Sequence, residues 1–570
     1  MRRMSYILLS CFLLSLSATS CSSTPAPLTD FAETVIIGNI YTADPAGNEA
    51  SALAIKDGRY IYVGDEEAVE QYIGDETEVI RLDGGMVLPG FIDGHAHGSD
   101  GGVNGLYAVN LFEATTVEEY ISIIEDFIKA HPDLEFIRGG GWYNGYFPNG
   151  VPTAEMLDAI DTDLPIALYP MDHHSYWVNS KALELMGVNA DTPDVDGGVI
   201  ERDAKGNPVG CFRENAMGLV SEIIPDYSVD EYKAGILAWQ DEAMSYGITA
   251  YWDPMVNYPG ILSAYKELDE EGKLMIRAYG GYLINCDDDI PAEIEKCKNL
   301  IEETAGGNFS VNAIKILNDG VVEGRTGYLL EDYADMPGFR SEPLWDQESL
   351  NTLFTKADAL GITIHTHAIV DAASRMIVDA AEYAGEQNGL QDNRHAITHI
   401  QLIHPQDIDR MARLNMVGSV QPYWHYKEEG LFYEIEIPYL GEERANSTYP
   451  MKSLFDAGVV VSSSSDYPVS QPPQPLRAIQ IGVTRCALSG DPETIKNPKE
   501  RVTVNQMISS FTANGAYQLR SEDDFGTIEL GKLADLIILD RKITEIEPAQ
   551  ISATNVLRTI IGGKTTFLKD

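Results

Sequence analysis

The chain has 570 residues, 44% of them hydrophobic and 22% charged, which is ordinary for a soluble globular protein and enough for one large barrel with an accessory domain. Its 88 acidic against 40 basic residues give a formal charge of −48, a field that repels phosphate backbones and anionic surfaces and so argues against a nucleic-acid partner.

In chain order, Arg2 and Arg3 precede the apolar run Ile7 to Leu16, and the small residues Ala18-Thr19-Ser20 lead to Cys21. This is a signal-type segment, too short to span a membrane as a stable helix. With the flexible "SSTPAPLTD" after it, 1–21 resembles a bacterial lipoprotein signal cleaved ahead of Cys21, which becomes the acylated first mature residue, with 22–32 as linker. That implies export to the bacterial cell envelope, with membrane contact only through the lipid anchor. The remaining Cys211, Cys286, Cys297 and Cys486 show no CxxC spacing and read as free thiols.

Residues 33 to 85 read as strands, "ETVIIGNIYT" and then "ALAIKDGRYIYVGD", with Asp57-Gly58 as a hairpin turn. "GTIELGKLADLIILD" and "VLRTIIGGKTTFL", within 505–570, have the same β character, so both termini are expected to build one sheet domain. Between them, 86–504 alternates helix and strand, with an insertion at about 103–240. Thr116 and Ser228, each followed by Glu three residues later, have capping-box spacing ahead of helices. Repeated β-α units with short links point to a parallel sheet.

The chemistry sits where these strands end. "MVLPGFIDGHAH" carries His95 and His97, "VNAIKIL" Lys315, "ITIHTHA" His367, "AITHIQ" His399 and "VVVSSSSD" Asp466. In a (β/α)8 barrel the strand C-terminal ends converge on one face, so these groups are expected to meet at one mouth as a metal site. His365, two residues before His367, is expected to neighbour that site. A strand lysine such as Lys315 has a plainer reading, an ion pair with Asp319. Trp142 and Tyr143, after three glycines, suit loop packing as well as substrate contact, and no lysine follows to make a phosphate cradle.

These residues, in this order, resemble the amidohydrolase superfamily, in particular its amidohydrolase-3 branch, which includes N-substituted formamide deformylases. The resemblance rests on "PGFIDGHAH", "GGGWYNGYFP", "MDHHSYWVNSKALELMGV", "IKILNDG", "HTHAIVDAA", "RHAITHIQ", "SSSDYPV" and "LGKLADLIILD", and covers about residues 33 to 570. It implies an α/β fold: a distorted (β/α)8 TIM barrel with a composite β-sandwich from both termini. It also implies a divalent metal, zinc above all, as one or two ions held by His95, His97, Lys315, His367, His399 and Asp466. Lys315 matches the lysine that family members carbamylate with CO2. Asp466 matches the catalytic aspartate, and His174 the histidine that reaches the substrate carbonyl. The implied activity is hydrolysis of non-peptide carbon-nitrogen bonds in a small molecule, amides first. A deaminase or cyclic-amide hydrolase would share the metal core, and a non-catalytic binding lipoprotein would lack the metal. The branch's His-Ala-Ile-Gly-Asp-Arg is here His367-Ala-Ile-Val-Asp-Ala372, and its Arg-Ile-Glu-His is Ala396-Ile-Thr-His399. No ligand is lost, but the groups around the ligands differ.

Overall fold

A computed structural model describes residues 31–171 and 174–569. The proposed lipidation site Cys21, and His173, lie outside the described residues. Among those residues no helix is long and apolar enough to cross a membrane.

The centre is an eight-stranded parallel sheet in sequential order: β1 (Phe91–Asp93), β2 (Ile248–Asp253), β3 (Arg277–Leu283), β4 (Phe309–Leu317), β5 (Thr363–Ala368), β6 (Ala396–His399), β7 (Val417–Val420) and β8 (Val460–Ser463). Their side chains are almost all buried, as expected for strands covered by helices on one side and packed against one another on the other. The seam between first and last strands is closed by a short ladder: Gly94 N–H to Ser463 O at 3.1 Å, Asp466 N–H to His95 O at 2.8 Å and His97 N–H to Tyr467 O at 2.8 Å. Asp93 Oδ1 adds a staple by accepting from the N–H of His95 at 3.2 Å and of Ser465 at 3.0 Å.

Both termini form a second eight-stranded sheet. Met86–Pro89 pair antiparallel with Leu536–Leu539 and parallel with Thr34–Tyr41, joining the two ends of the chain. At the far edge, Tyr60 N–H donates to Lys532 O and Gly531 N–H to Tyr60 O, so the sheet folds back over itself as a sandwich. Strand alternation sends Ile36, Leu53 and Ile55 into the core shared with Val87, Leu536 and Ile560, and Val35, Ile37, Ala52 and Ala54 to the other face against Val69. Asp57 and Gly58, at φ of 49° and 74°, form the left-handed two-residue turn that the Asp-Gly pair favours.

This pairing corrects one expectation. "MVLPGFID" is two strands in two sheets, and the sandwich boundary falls at Gly90 instead of residue 85. Proline has no N–H to continue a ladder, and a Cβ on Gly90 would lie 2.2 Å from Thr249 Oγ1, so the chain turns sharply from one sheet to the other there.

Between β1 and β2 the chain forms a third sheet of six strands spanning Val109 to Glu214. On either side of it, helices Gly98–Tyr107 and Val229–Ser245 pack on one another at Gly102 and Gly235; a Cβ on Gly102 would sit 2.1 Å from Gly235 O. The second helix starts at a full Ser228/Glu231 capping box, while Thr116 caps its helix by accepting from Glu119 N–H. Because the first helix begins directly after His97, this close crossing also holds that histidine in place.

Candidate metal and substrate site

His95, His97 and Asp466 come together at the seam. The Nε2 atoms of His95 and His97 lie 3.4 and 3.5 Å from Asp466 Oδ1, and the three residues can each present one ligand atom within 4.8 Å of the others. The closing ladder places them: His95 O accepts from Asp466 N–H, and Tyr467 O from His97 N–H. His95 and His97 follow β1 in a bend and are not part of the strand. Asp466 sits at φ 54° and His399 at φ 82°, left-handed conformations that cost an L-residue with a side chain about 1–3 kcal/mol and persist where surrounding hydrogen bonds hold them.

His367 and His399 complete the mouth. Their rings are 4.4 Å apart, and the His399 ring is 5.4 Å from that of His95. Each has one ring nitrogen committed to an oxygen acceptor. His367 Nε2 donates to Gly320 O at 3.2 Å, with Asp319 Oδ1 at 3.8 Å on the same side; His399 Nδ1 donates to Gln421 Oε1 at 3.1 Å. The Gln421 amide is itself oriented. Ser464 Oγ donates to Val420 O at 3.3 Å and so accepts from Gln421 Nε2 at 2.8 Å, which turns Oε1 toward the histidine. A neutral imidazole carries one proton, so Nδ1 of His367 and Nε2 of His399 are left as lone-pair nitrogens.

Electrostatics agrees. Burial, with the charge of Lys315 adding to it, pushes His97 and His367 down to about 3, and burial first of all drives His95 and His399 well below the usual imidazole range. These rings are neutral near pH 7, the form that ligates a cation. Lys315, two residues before the end of β4, is buried beside them. Burial lowers it to about 7, with Asp466 opposing, and burial likewise raises Asp466 to about 7 with Lys315 opposing. The Lys315–Asp319 pair does not form among the described residues. Asp319 instead accepts from the backbone N–H groups of Ile369, Val370 and Tyr328, tying the loop after β5 to the end of β4. Several neutral imidazoles with fixed protons, a carboxylate and a buried amine make a donor set that fits a divalent cation.

Above the mouth is a cleft of about 1080 Å³, lined by His367, His399 and Asp466 and by aromatic walls that include Tyr143, Trp424, Tyr426 and Tyr449. His174 reaches it from the six-stranded sheet, standing over the cleft and outside the histidine–aspartate cluster, with Nδ1 3.2 Å from Glu214 Oε2. Trp142 is a fully buried core residue whose indole donates to Leu168 O, while Tyr143 is exposed at the cleft. The sequence reading passed over Gln421, and it left Glu214, which falls in a branch-like context, out of the site. Gln421 directly follows β7, so the strand-end rule reaches it, but glutamine is not a metal-type residue and drew no attention. Glu214 ends a strand of the insertion, far along the chain from any ligand.

The model of the amidohydrolase family matches residues 78–567. The chain belongs to the amidohydrolase family. Over 541 residues it is 30% identical to the protein LONG AFTER FAR-RED 3 of Arabidopsis thaliana, covering 93% of this chain and 90% of that protein. Over 549 residues it is 26% identical to an N-substituted formamide deformylase of Arthrobacter pascens, covering 93% and 97%. Among solved structures it is similar to a metal-dependent hydrolase from Pyrococcus furiosus, with a TM-score of 0.73 and 27% identity over 90% of this chain and all of that one. This amidohydrolase is an enzyme, a metal-dependent hydrolase on a TIM barrel.

Proposed function

We propose that this amidohydrolase cleaves non-peptide carbon-nitrogen bonds of small molecules, amides first, with zinc as one or two ions held by His95, His97, Lys315, His367, His399 and Asp466. The observation that carries the reading is the proton pattern of the cluster: neutral imidazoles whose second nitrogens are committed to acceptors, around a carboxylate at the floor of a substrate-sized cleft. A cation bound there supplies an acidified water, its pKa lowered from 15.7 to about 7. Asp466 takes the proton of the attacking water on its carboxylate and returns it to the leaving nitrogen. His174, turned by Glu214, faces the substrate carbonyl from the other side of the cleft, and the aromatic walls exclude bulk water. Burial leaves the Lys315 amine without a described ion partner within 4 Å, a setting that suits carbamylation, which would turn it into a carboxylate able to help hold the metal. The deformylase relative supports amides as the first substrate class. The same proposal includes export and a lipid anchor at Cys21.

Elemental analysis of purified protein, mass spectrometry of the Lys315 peptide, and a panel of N-substituted formamides, other amides, cyclic amides and aminopurines test it. Zinc at one or two equivalents and amide turnover are expected, with Asp466→Asn losing about 10²–10⁴-fold in kcat while keeping its metal. Full activity in that variant removes Asp466 from the mechanism. Turnover confined to aminopurines or cyclic amides replaces the amide assignment.

A further inference from the structure

We infer that His365 is the positioning residue that sets the proton on His95, and thereby decides whether the first imidazole of the cluster can ligate. This rests on the metal reading above. His365 lies on β5 two residues before His367, one layer deeper in the barrel, and is buried, as is His95. Its Nε2 is 3.1 Å from His95 Nδ1. Its ring stacks on Trp252 at 4.1 Å and 19°, and the Trp252 indole is anchored by donating to Asn312 Oδ1 at 2.9 Å. The ring is therefore held in plane and in place.

A 3.1 Å contact between two ring nitrogens is a hydrogen bond with one proton between them, donated by one ring and accepted by the other. A ring that ligates a cation is a neutral imidazole with a single proton. If His365 Nε2 carries the shared proton, His95 Nδ1 accepts, and the single proton of the His95 ring must then sit on Nε2, the atom facing Asp466. That tautomer offers no lone pair to a cation. If His95 Nδ1 carries the proton and donates, Nε2 is bare and can ligate, and His365 is the Nδ1–H tautomer. His367 and His399 hand their protons to Gly320 O and to the oriented oxygen of Gln421, neither of which can donate back. His95 alone of these three leans on a partner able to act either way. The competence of His95 is therefore set by His365, through a group that touches neither substrate nor cation.

Zinc affinity of the apo-protein, measured by competition with a chromogenic chelator, tests this without any substrate. His365→Phe keeps the stack on Trp252 and removes the acceptor; its zinc Kd is expected to rise about 10–100-fold. His365→Gln places an amide oxygen near the lost nitrogen and is expected to stay within about threefold of wild type. A merely structural role would move both variants with their melting temperatures and would not distinguish them. Nitrogen-15 spectra of zinc-loaded, histidine-labelled wild type give a second measurement that needs no variant: a proton on His95 Nδ1 and none on His365 Nε2. Wild-type affinity in His365→Phe, or a proton on His95 Nε2 in the loaded protein, overturns the inference. Wild-type protein that takes up no zinc overturns the metal reading itself, and is told apart because the failure precedes any substitution.

Discussion

Asp535 is the clamp between the terminal sandwich and the barrel, and removing it gives the clearest stability test. Its carboxylate accepts from Arg277 Nε at 2.7 Å and Nη2 at 3.1 Å, and also from Gly562 N–H at 2.7 Å, while its carbonyl accepts from Gly90 N–H at 3.0 Å. The side chains are 2% and 14% exposed, so solvent screens the pair little. Asp535→Ala keeps the carbonyl contact, strands a nearly buried guanidinium and orphans one backbone N–H. Two charge-assisted bonds of about 1.5–3 kcal/mol each, partly offset by the solvation Arg277 regains, put the loss at about 3–5 kcal/mol. Urea unfolding followed by tryptophan fluorescence measures it. Arg277→Gln should cost nearly as much, and pairing Asp535→Leu with Arg277→Met should recover most of it, since replacing both partners removes the buried charge. A loss below about 1 kcal/mol in Asp535→Ala refutes the idea that this pair, more than the sandwich core, ties the two units together.

Asp100, half-buried next to Asp253, is raised to about 6 first by burial and then by that neighbour. Its folded-state value lies above the unfolded one, so its cost is absent below about pH 4, grows between pH 4 and 6 and is full above; Asp100→Asn should stabilise by about 2–3 kcal/mol at pH 8 and by nothing at pH 4. Thermal melts at the two pH values check this, and an equal gain at both contradicts it. Zinc at about 100 times its Kd should stabilise apo-protein by about 2.7 kcal/mol, read as a rise in melting temperature that His95→Ala abolishes. Glu214→Gln should lower kcat on an amide substrate about as far as His174→Ala, and the double variant should fall no further, because the two act as one unit. Additive losses in steady-state kinetics would separate them.

The barrel was legible because its strands are short apolar runs punctuated by glycine turns, and because the groups that end them share one face by geometry. That reasoning brought His95, His97, Lys315, His367, His399 and Asp466 to a single mouth. What it could not read is pairing across sheets. Nothing local in "MVLPGFID" says that Met86–Pro89 prefer Leu536–Leu539 to the barrel, because that choice is made by residues some 450 positions away. Partners of the ligands were equally hidden. Gln421 meets His399 from the neighbouring strand and His365 meets His95 from across the barrel, and a single chain records which residues end a strand but not which ring nitrogen faces which partner.

The seam has a consequence for biosynthesis. Asp93 and Ser465 are 372 positions apart yet stapled together, and His95 meets Asp466 only where the two ends of the barrel join. A polypeptide emerging from the ribosome carries His95 and His97 early and Asp466 very late, so the constellation these three form is not assembled until the last barrel strand has been made and docked. On the proposed mechanism, hydrolytic power is thus withheld from every partial product of translation, and a chain cut short before residue 466 is expected to be inert even if most of its barrel has formed.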